Sequence, residues 1–321
     1  MYDAIVIGGG PAGLSGALTL GRALRQTLAI DAGEPRNAPA AAMHNFISRD
    51  GLPPAELRRI AREELAHYST VEIRDGAVVN AGRLPDGGFA VTLADGAVAQ
   101  GRRLLLATGV VDELLPIDGL AALWGRGVFH CPYCHGFEVR DTPLAVLGAT
   151  PAAINLALHL RRFSADVVLC TDGQDSLDPE TQVLLDGQGV AVRHEPVVRV
   201  EGRDGHLEHV VFADGEPLPR HALFGGTART RQRSELPVQL GCTLLEDGNV
   251  EVNDFAQTSV DGVYAAGDMA RRASFPTPAA VIAAAASGAF AGAVIDKDLL
   301  ATDLGLPNPF MSVAGARGGS S

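Results

Sequence analysis

The segment Gly8-Gly9-Gly10-Pro11-Ala12-Gly13 follows an apolar, β-branched run at residues 3–7 (DAIVI) and opens a helical pattern over Leu14–Leu24. No other feature restricts the fold as much. Glycines at positions 8, 10 and 13 of a strand–turn–helix unit let backbone N–H groups approach a pyrophosphate at a helix N-terminus. A second predicted strand, Thr27–Ile30, ends at Asp31, 18 residues past Gly13, where an acidic side chain accepts from a ribose hydroxyl. A glycine-rich turn beside a solvated Asp is the plain alternative. Strand, helix and terminal acid in one register favour dinucleotide binding, with Gly8, Gly10, Pro11, Ala12, Gly13 and Asp31 as the contacts.

Further along, a long loop from Glu34 to Leu57 contains His44-Asn45, and long ordered loops in α/β domains are more often functional than decorative. A helix is expected at Pro54–Tyr68. Alternating runs at Val71–Val79, Gly88–Leu93 and Val98–Gln100 predict a small antiparallel sheet. Leu104–Leu106 reads as a buried parallel strand running into the turn Ala107-Thr108-Gly109. Pro116 and Gly119 mark a linker, and the strand–turn–helix plan then recurs at Leu144–Ala153. In that second copy Thr150 replaces the middle glycine, Pro151 removes a donor, and Asp172 stands where a 2′-phosphate needs arginines, so NADP(H) binding is disfavoured. Phe224–Thr227 returns the chain to the first domain, and the run from Thr258 ends in Gly267-Asp268, an Asp suited to the polyol of a flavin. The expected architecture is α/β, with two Rossmann-like, three-layer domains of the FAD/NAD type, the second inserted in the first. Its boundaries are 1–115 and 226–311 for the FAD domain, 116–225 for the insert, and 312–321 for a disordered tail.

With 321 residues, two domains are the prior. A net charge of −12 argues against nucleic acid and anionic membranes as partners. The apolar run Ala279–Val294 has 16 residues, short of the ~20 that span a bilayer, and predicts a packed helix. Four cysteines make no disulfide framework, and a reducing cytoplasm is the expected compartment.

Two of those cysteines stand three apart in His130-Cys131-Pro132-Tyr133-Cys134-His135-Gly136. A C-x-x-C pair near βαβ patterning is a thiol–disulfide signature, and flanking histidines lower thiolate pKa values. Three other readings stand beside it. C-x-x-C-H also attaches c-type haem, but the chain opens without an export segment. Zinc needs four ligands, whereas Cys170 and Cys242 stand alone. Inert core thiols are the third.

Taken in order, GGGPAG, Ala107–Gly109, CPYC and TSVDGVYAAGD resemble the low-molecular-weight thioredoxin reductase family over nearly the whole chain. That resemblance implies FAD in the outer domain, a pyridine-nucleotide-type inner domain and a homodimer, with Cys134 against the flavin and Cys131 exchanging with substrate. His135 takes the place of the family's acid/base Asp. The broken inner glycine motif, the missing basic residues and CPYCHG resemble the dithiol oxidase branch that closes disulfides in gliotoxin, holomycin and romidepsin. There electrons run from a small-molecule dithiol through FAD to molecular oxygen. On this reading His135 is the base, with a helix-capping histidine as the alternative, and His130 and Asn45 orient thiolates. An NAD(P)H-dependent disulfide reductase is the other enzyme this pattern fits.

Overall fold

The computed structural model describes residues 1–85, 87–174, 177–274, 279–308 and 310, so the expected tail at 312–321 lies outside the described residues. The first stretch runs β1 (Tyr2–Ile7), α1 (Pro11–Arg22), β2 (Thr27–Asp31), α2 (Pro54–Leu65), β3 (Val71–Asp75), β4 (Val78–Arg83), β5 (Phe89–Leu93), β6 (Val98–Leu106) and β7 (Val110–Leu114). Next come α3 (Leu120–Leu123), β8 (Val128–Phe129), α4 (Pro132–His135), β9 (Leu144–Leu147), α5 (Pro151–Leu160), β10 (Val167–Cys170), α6 (Pro179–Gly187) and β11 (Val190–Arg193). They are followed by β12 (Val197–Arg203), β13 (His206–Phe212), β14 (Leu218–Pro219) and β15 (Ala222–Phe224). The return segment holds β16 (Thr227–Gln232), α7 (Leu236–Leu240), β17 (Val250–Glu251), β18 (Val263–Ala265), β19 (Ala270–Arg271) and α8 (Val281–Leu304). No helix among the described residues is long and apolar enough to cross a membrane.

Two compact units result: residues 1–36, 55–111 and 230–321 form one, and 37–54 with 112–229 form the other. The loop 37–54 therefore groups with the inserted unit, whereas the sequence boundaries place it in the first domain. Its own contacts give the reason: Pro39 and Ala40 lie against Gly125, and the His44 ring meets the His135 ring.

In the first unit the sheet order is β3-β2-β1-β6-β5-β4, with β18 also paired to β6. Strands β1, β2, β3, β6 and β18 are mutually parallel where they pair. Residue alternation then splits each central strand between two cores. Ala4, Val6, Leu105 and Tyr264 pack with α1 and α8, while Ile5, Ile7, Leu104 and Leu106 pack with Phe89, Val91 and Leu93. The small antiparallel sheet expected at residues 71–100 is not separate. Gly76, at φ 152°, breaks the run Val71–Val79 in two, so that β3 extends the parallel sheet while β4 and β5 continue it antiparallel beyond β6.

Helix α8 seats on α1 almost backbone to backbone: a Cβ on Gly288 would lie 1.9 Å from the Ala12 carbonyl oxygen, and one on Gly292 2.8 Å from that of Gly16. Near the end of α8, the buried Asp298 accepts from Arg103 Nε at 2.6 Å, Tyr264 OH at 2.7 Å and Asn308 Nδ2 at 3.0 Å. Asp298→Ala strands the Arg103 guanidinium without its partner, and a loss of about 3–5 kcal/mol is expected. It should read as a lower urea midpoint at unchanged slope; a shift under 1 kcal/mol refutes it.

The inserted unit carries a five-stranded parallel sheet in the order β11-β10-β9-β15-β8. Leu144 and Val146 face α5 through Ala153, Ala157 and Leu160, whereas Ala145 and Leu147 face Val200, Leu207 and Val210 of β12 and β13.

Candidate active site

The turn between β1 and α1 is shaped for a phosphate. Gly8 has φ 120°, and a Cβ there would lie 2.1 Å from the Ala107 carbonyl oxygen; a Cβ on Gly13 would lie 1.8 Å from the carbonyl oxygen of Gly8. Gly10 faces open space and caps α1 without any side chain, so the first-turn N–H groups next to Pro11 and Ala12 are left for a ligand.

Other strand ends converge there. Gly267, reached from β18, packs on Ala12, takes Ser287 Oγ on its N–H at 3.0 Å, and precedes Asp268, which accepts from Arg36 at 2.8 Å. Thr108 shares a 3.2 Å hydrogen bond with Ser234, and Gly109 turns at φ 70°. A cavity of about 440 Å³ adjoins, lined in part by Gly267, Asp268, Ala284, Ser287 and Phe290. Ligands of open α/β sheets bind in this crevice beyond the carboxyl ends of the strands.

Asp31, at the end of β2, is buried and already engaged. It accepts from the Gly33 N–H at 2.9 Å, from Arg58 at 2.6 Å and from Arg62 at 3.2 Å. Burial raises its pKa, yet the Gly33 N–H and the Arg58 and Arg62 guanidiniums outweigh that and hold the carboxyl below its ordinary value. Three of roughly four lone-pair sites are filled, which leaves one for a ribose hydroxyl. Arg58 also donates to the Gly9 carbonyl at 3.2 Å, tying α2 to the turn. Asp31→Ala should weaken FAD binding by about 1.5–3 kcal/mol, tenfold or more, in a fluorescence titration of the apoprotein. Unchanged affinity would place the ribose contact elsewhere.

In the inserted unit β8 delivers the chain to α4, whose first residue is Pro132 and whose N-cap is Cys131. Cys131 and Cys134 are joined as a disulfide with Cα atoms 5.3 Å apart, and the Cys134 N–H donates to Cys131 Sγ at 3.1 Å. That donor favours a thiolate at Cys131. His135 ends α4 instead of capping the helix start. Its ring stacks on Phe129 at 4.3 Å and meets His44 edge-on at 6.4 Å, and neither buried ring nitrogen has a hydrogen-bond partner among the described residues.

Burial pulls the His135 pKa down to about 4, with like-charge repulsion from His130 and His44 adding to it. The ordinary histidine value near 6.5 does not survive that burial, and the ring is a neutral base across the physiological range. Because the folded pKa is depressed, this stability is complete above about 6.5 and is lost as pH falls through about 4. Urea midpoints should therefore decline across that window, and His135→Gln should flatten the decline; an equal slope in both proteins refutes it.

His130 is exposed and stacks on Trp124 at 5.7 Å. Asn45 is exposed at φ 63°, its N–H donating to Asp50 at 2.7 Å, and no side-chain hydrogen bond joins it to the sulfurs. Cys170 and Cys242 are buried and outside any disulfide, and burial raises both thiol pKa values, that of Cys170 to about 12. Sequence reasoning passed over Arg58, Arg62 and His44. The two arginines lie one turn apart on a charged helix, and His44 sits beside Asn45, but neither signal separates a site from a solvated face.

The second glycine-turn copy is less open to a dinucleotide than the first, which bears on the doubtful binding of NADP(H). Thr150 Oγ1 accepts the Ala153 N–H at 3.2 Å, occupying with a side chain the start of α5 that a pyrophosphate would need. Just past the end of β10, Asp172 accepts the Val197 N–H at 2.8 Å, and Arg193 is committed to Glu195 at 2.8 Å.

A glycine turn of the dinucleotide type, the Gly267-Asp268 strand end beside it and a separate unit bearing a C-x-x-C disulfide fit a flavin-dependent disulfide oxidoreductase. The profile of the Pyridine nucleotide-disulphide oxidoreductase family matches residues 2–288, and the chain belongs to that family. Its cofactor is FAD. Thioredoxin reductase tcpT of Claviceps purpurea (strain 20.1) is 37% identical over 279 residues, 84% of this chain and 86% of that protein. Thioredoxin reductase sirT of Leptosphaeria maculans is 32% identical over 330 residues, 95% and 96% of the two chains. Among solved structures, HlmI superposes with a TM-score of 0.87 at 37% identity, covering 98% of this chain and 96% of its own.

Proposed function

We propose that this chain is a dithiol oxidase that closes an intramolecular disulfide in a small-molecule natural product, with molecular oxygen as the final acceptor. The observation that carries this reading is the Thr150 hydroxyl on the Ala153 N–H, which takes the donor a nicotinamide dinucleotide would need and so favours electron entry from a thiol. Similarity to the thioredoxin reductases tcpT and sirT supports thiol–disulfide redox chemistry. The working form is a homodimer, as the resemblance to thioredoxin reductases implies, in the reducing cytoplasm that four cysteines without a disulfide framework suggest.

In the reaction a substrate thiolate attacks Cys131 Sγ, the Cys131–Cys134 bond breaks, and Cys134 leaves as a thiolate. The second substrate thiolate attacks the substrate sulfur of the mixed disulfide, closing the product disulfide and releasing Cys131, whose sulfur the Cys134 N–H steadies. His135, held neutral by burial, takes a proton from an incoming thiol. His130 and Asn45 are assigned to orienting the thiolates. The turn at Gly8–Gly13 with Ala107–Gly109, Asp31 and the Gly267-Asp268 pair would hold FAD, which would supply the two-electron redox chemistry between the reduced cysteines and oxygen. The sum is dithiol plus O₂ giving disulfide plus H₂O₂.

Air-saturated holoenzyme given cyclic-disulfide precursors should form one peroxide per disulfide with no nicotinamide present. Oxidation that proceeds only when NADPH is added, or no peroxide with any dithiol, returns the protein to the reductases.

A further inference from the structure

His44 is absent from the expected site, yet its loop is built around it. The Met43 N–H donates to the Leu52 carbonyl and the Gly51 N–H to the Met43 carbonyl, each at 2.9 Å, closing the segment on itself. Asn45 and Ser48 within it hold left-handed φ values of 63° and 71°. Non-glycine residues keep such angles where surrounding structure imposes them, and they cluster at functional sites.

The closed loop leaves the His44 side chain 16% exposed, with its ring edge-on to His135. On its other side His44 Nδ1 lies 3.6 Å from Asp50 Oδ1 and 3.5 Å from Glu138 Oε1. These distances exceed a hydrogen bond, and the buried Nδ1 has no partner among the described residues. Asp50 and Glu138 are 67% and 38% exposed. His44 therefore meets the ring of His135, the residue next to Cys134, and also lies within 3.6 Å of two carboxylates in contact with water.

We propose that His44 is a positioning residue that relays the proton taken by His135 from a substrate thiol to Asp50 and Glu138, and so to solvent. The inference rests on the dithiol-oxidising reading of the disulfide. In each turnover the thiol S–H bond breaks and a ring N–H forms on His135. His135 returns to its neutral form by passing a proton to His44, which gives up another from Nδ1 to a carboxylate. No electron moves along this path.

Such an exit is needed because neither His135 ring nitrogen has a hydrogen-bond partner among the described residues to hold the proton. Phe129, stacked against its ring, offers no route. His130, the other titratable group facing it, is the competing exit.

Anaerobic reduction of the holoenzyme by dithiothreitol tests the proposal, read as bleaching of the flavin in a single turnover. His44→Ala should slow it about 10- to 100-fold, within the span of general acid–base effects. Added imidazole should restore the rate in a saturable manner. Glu138→Gln combined with Asp50→Asn should slow it less and move the acid limb of the pH profile. A His44→Ala rate equal to wild type, a loss that imidazole cannot relieve, or rescue seen only in His130→Ala overturns the relay. A wild-type disulfide inert to dithiothreitol removes both relay and dithiol reading. Wild-type bleaching without peroxide in air removes only oxygen as acceptor, and the His44 comparison still decides the relay.

Discussion

Cys131→Ser and Cys134→Ser each abolish dithiol oxidation, by about four powers of ten or more, while Cys170→Ser and Cys242→Ser keep it. The size follows from losing a nucleophile whose covalent step no neighbour can take over. Only the first pair is joined and half-exposed; the other two thiols are buried, and burial keeps them protonated. Loss of folding does not confuse the result at position 131, because Cys131 is the N-cap of α4 and Ser is among the best N-cap residues. The two inactive proteins should differ in colour. Cys131→Ser leaves the Cys134 thiolate that the resemblance assigns to the flavin face, so a long-wavelength charge-transfer band is expected there. A band confined to Cys134→Ser reverses the two roles, and activity retained in either variant removes the disulfide from the reaction.

The second large effect is a difference between reductants. Under anaerobic stopped flow, substrate dithiol should bleach the flavin within a turnover, whereas millimolar NADPH should leave it oxidised. Three local facts act in one direction. The Thr150 hydroxyl takes the Ala153 N–H in the first turn of α5, Pro151 has no N–H, and Asp172 sets a carboxylate just past the end of β10. Arg193, the nearby cation at the end of β11, spends both its Nε and Nη2 on Glu195 at 2.8–3.1 Å. Each missing charge-assisted contact costs about 1.5–3 kcal/mol, so the absence of an arginine pair weakens binding by about two to four powers of ten. Thr150→Gly alone should not restore reduction, since the 2′-phosphate still meets Asp172. Rapid bleaching of the wild type by NADPH would refute the argument at once.

The parts legible in the sequence are those where backbone geometry dictates residue type. Gly8 and Gly13 are readable because any side chain would strike a carbonyl, and the Cys131–Cys134 spacing is readable because it closes within one turn. The run Ala279–Val294 is likewise readable as a packed helix, its small residues being what lets α8 approach α1. Tertiary choices are not readable. Nothing local in Asn37–Pro54 says which unit the loop joins, and the alternation over residues 71–100 fits equally a separate sheet and the continued one that Gly76 permits. Asp31 is recognisable as a strand-end acid, but the arginines that claim it lie 27 and 31 residues on. His135 is recognisable as a flanking base, while the burial that brings it to about 4 depends on Phe129 and a loop some 90 residues earlier.

The contact of α8 with α1 also sets an order of events during synthesis. Gly288 lies on Ala12, one of the residues that shape the nucleotide turn, and β18, which supplies the strand beside β6, leaves the ribosome only shortly before α8. The first unit is thus split by sequence, its beginning waiting for its end, whereas the inserted unit, whose early loop has already emerged, is complete once Arg229 has followed. Long-range closure of this kind is slow, since loop entropy must be met before any contact rewards it. The FAD crevice therefore matures only after α8 has emerged, and a nascent chain stalled before residue 281 should hold a folded disulfide-bearing unit but no competent flavin site.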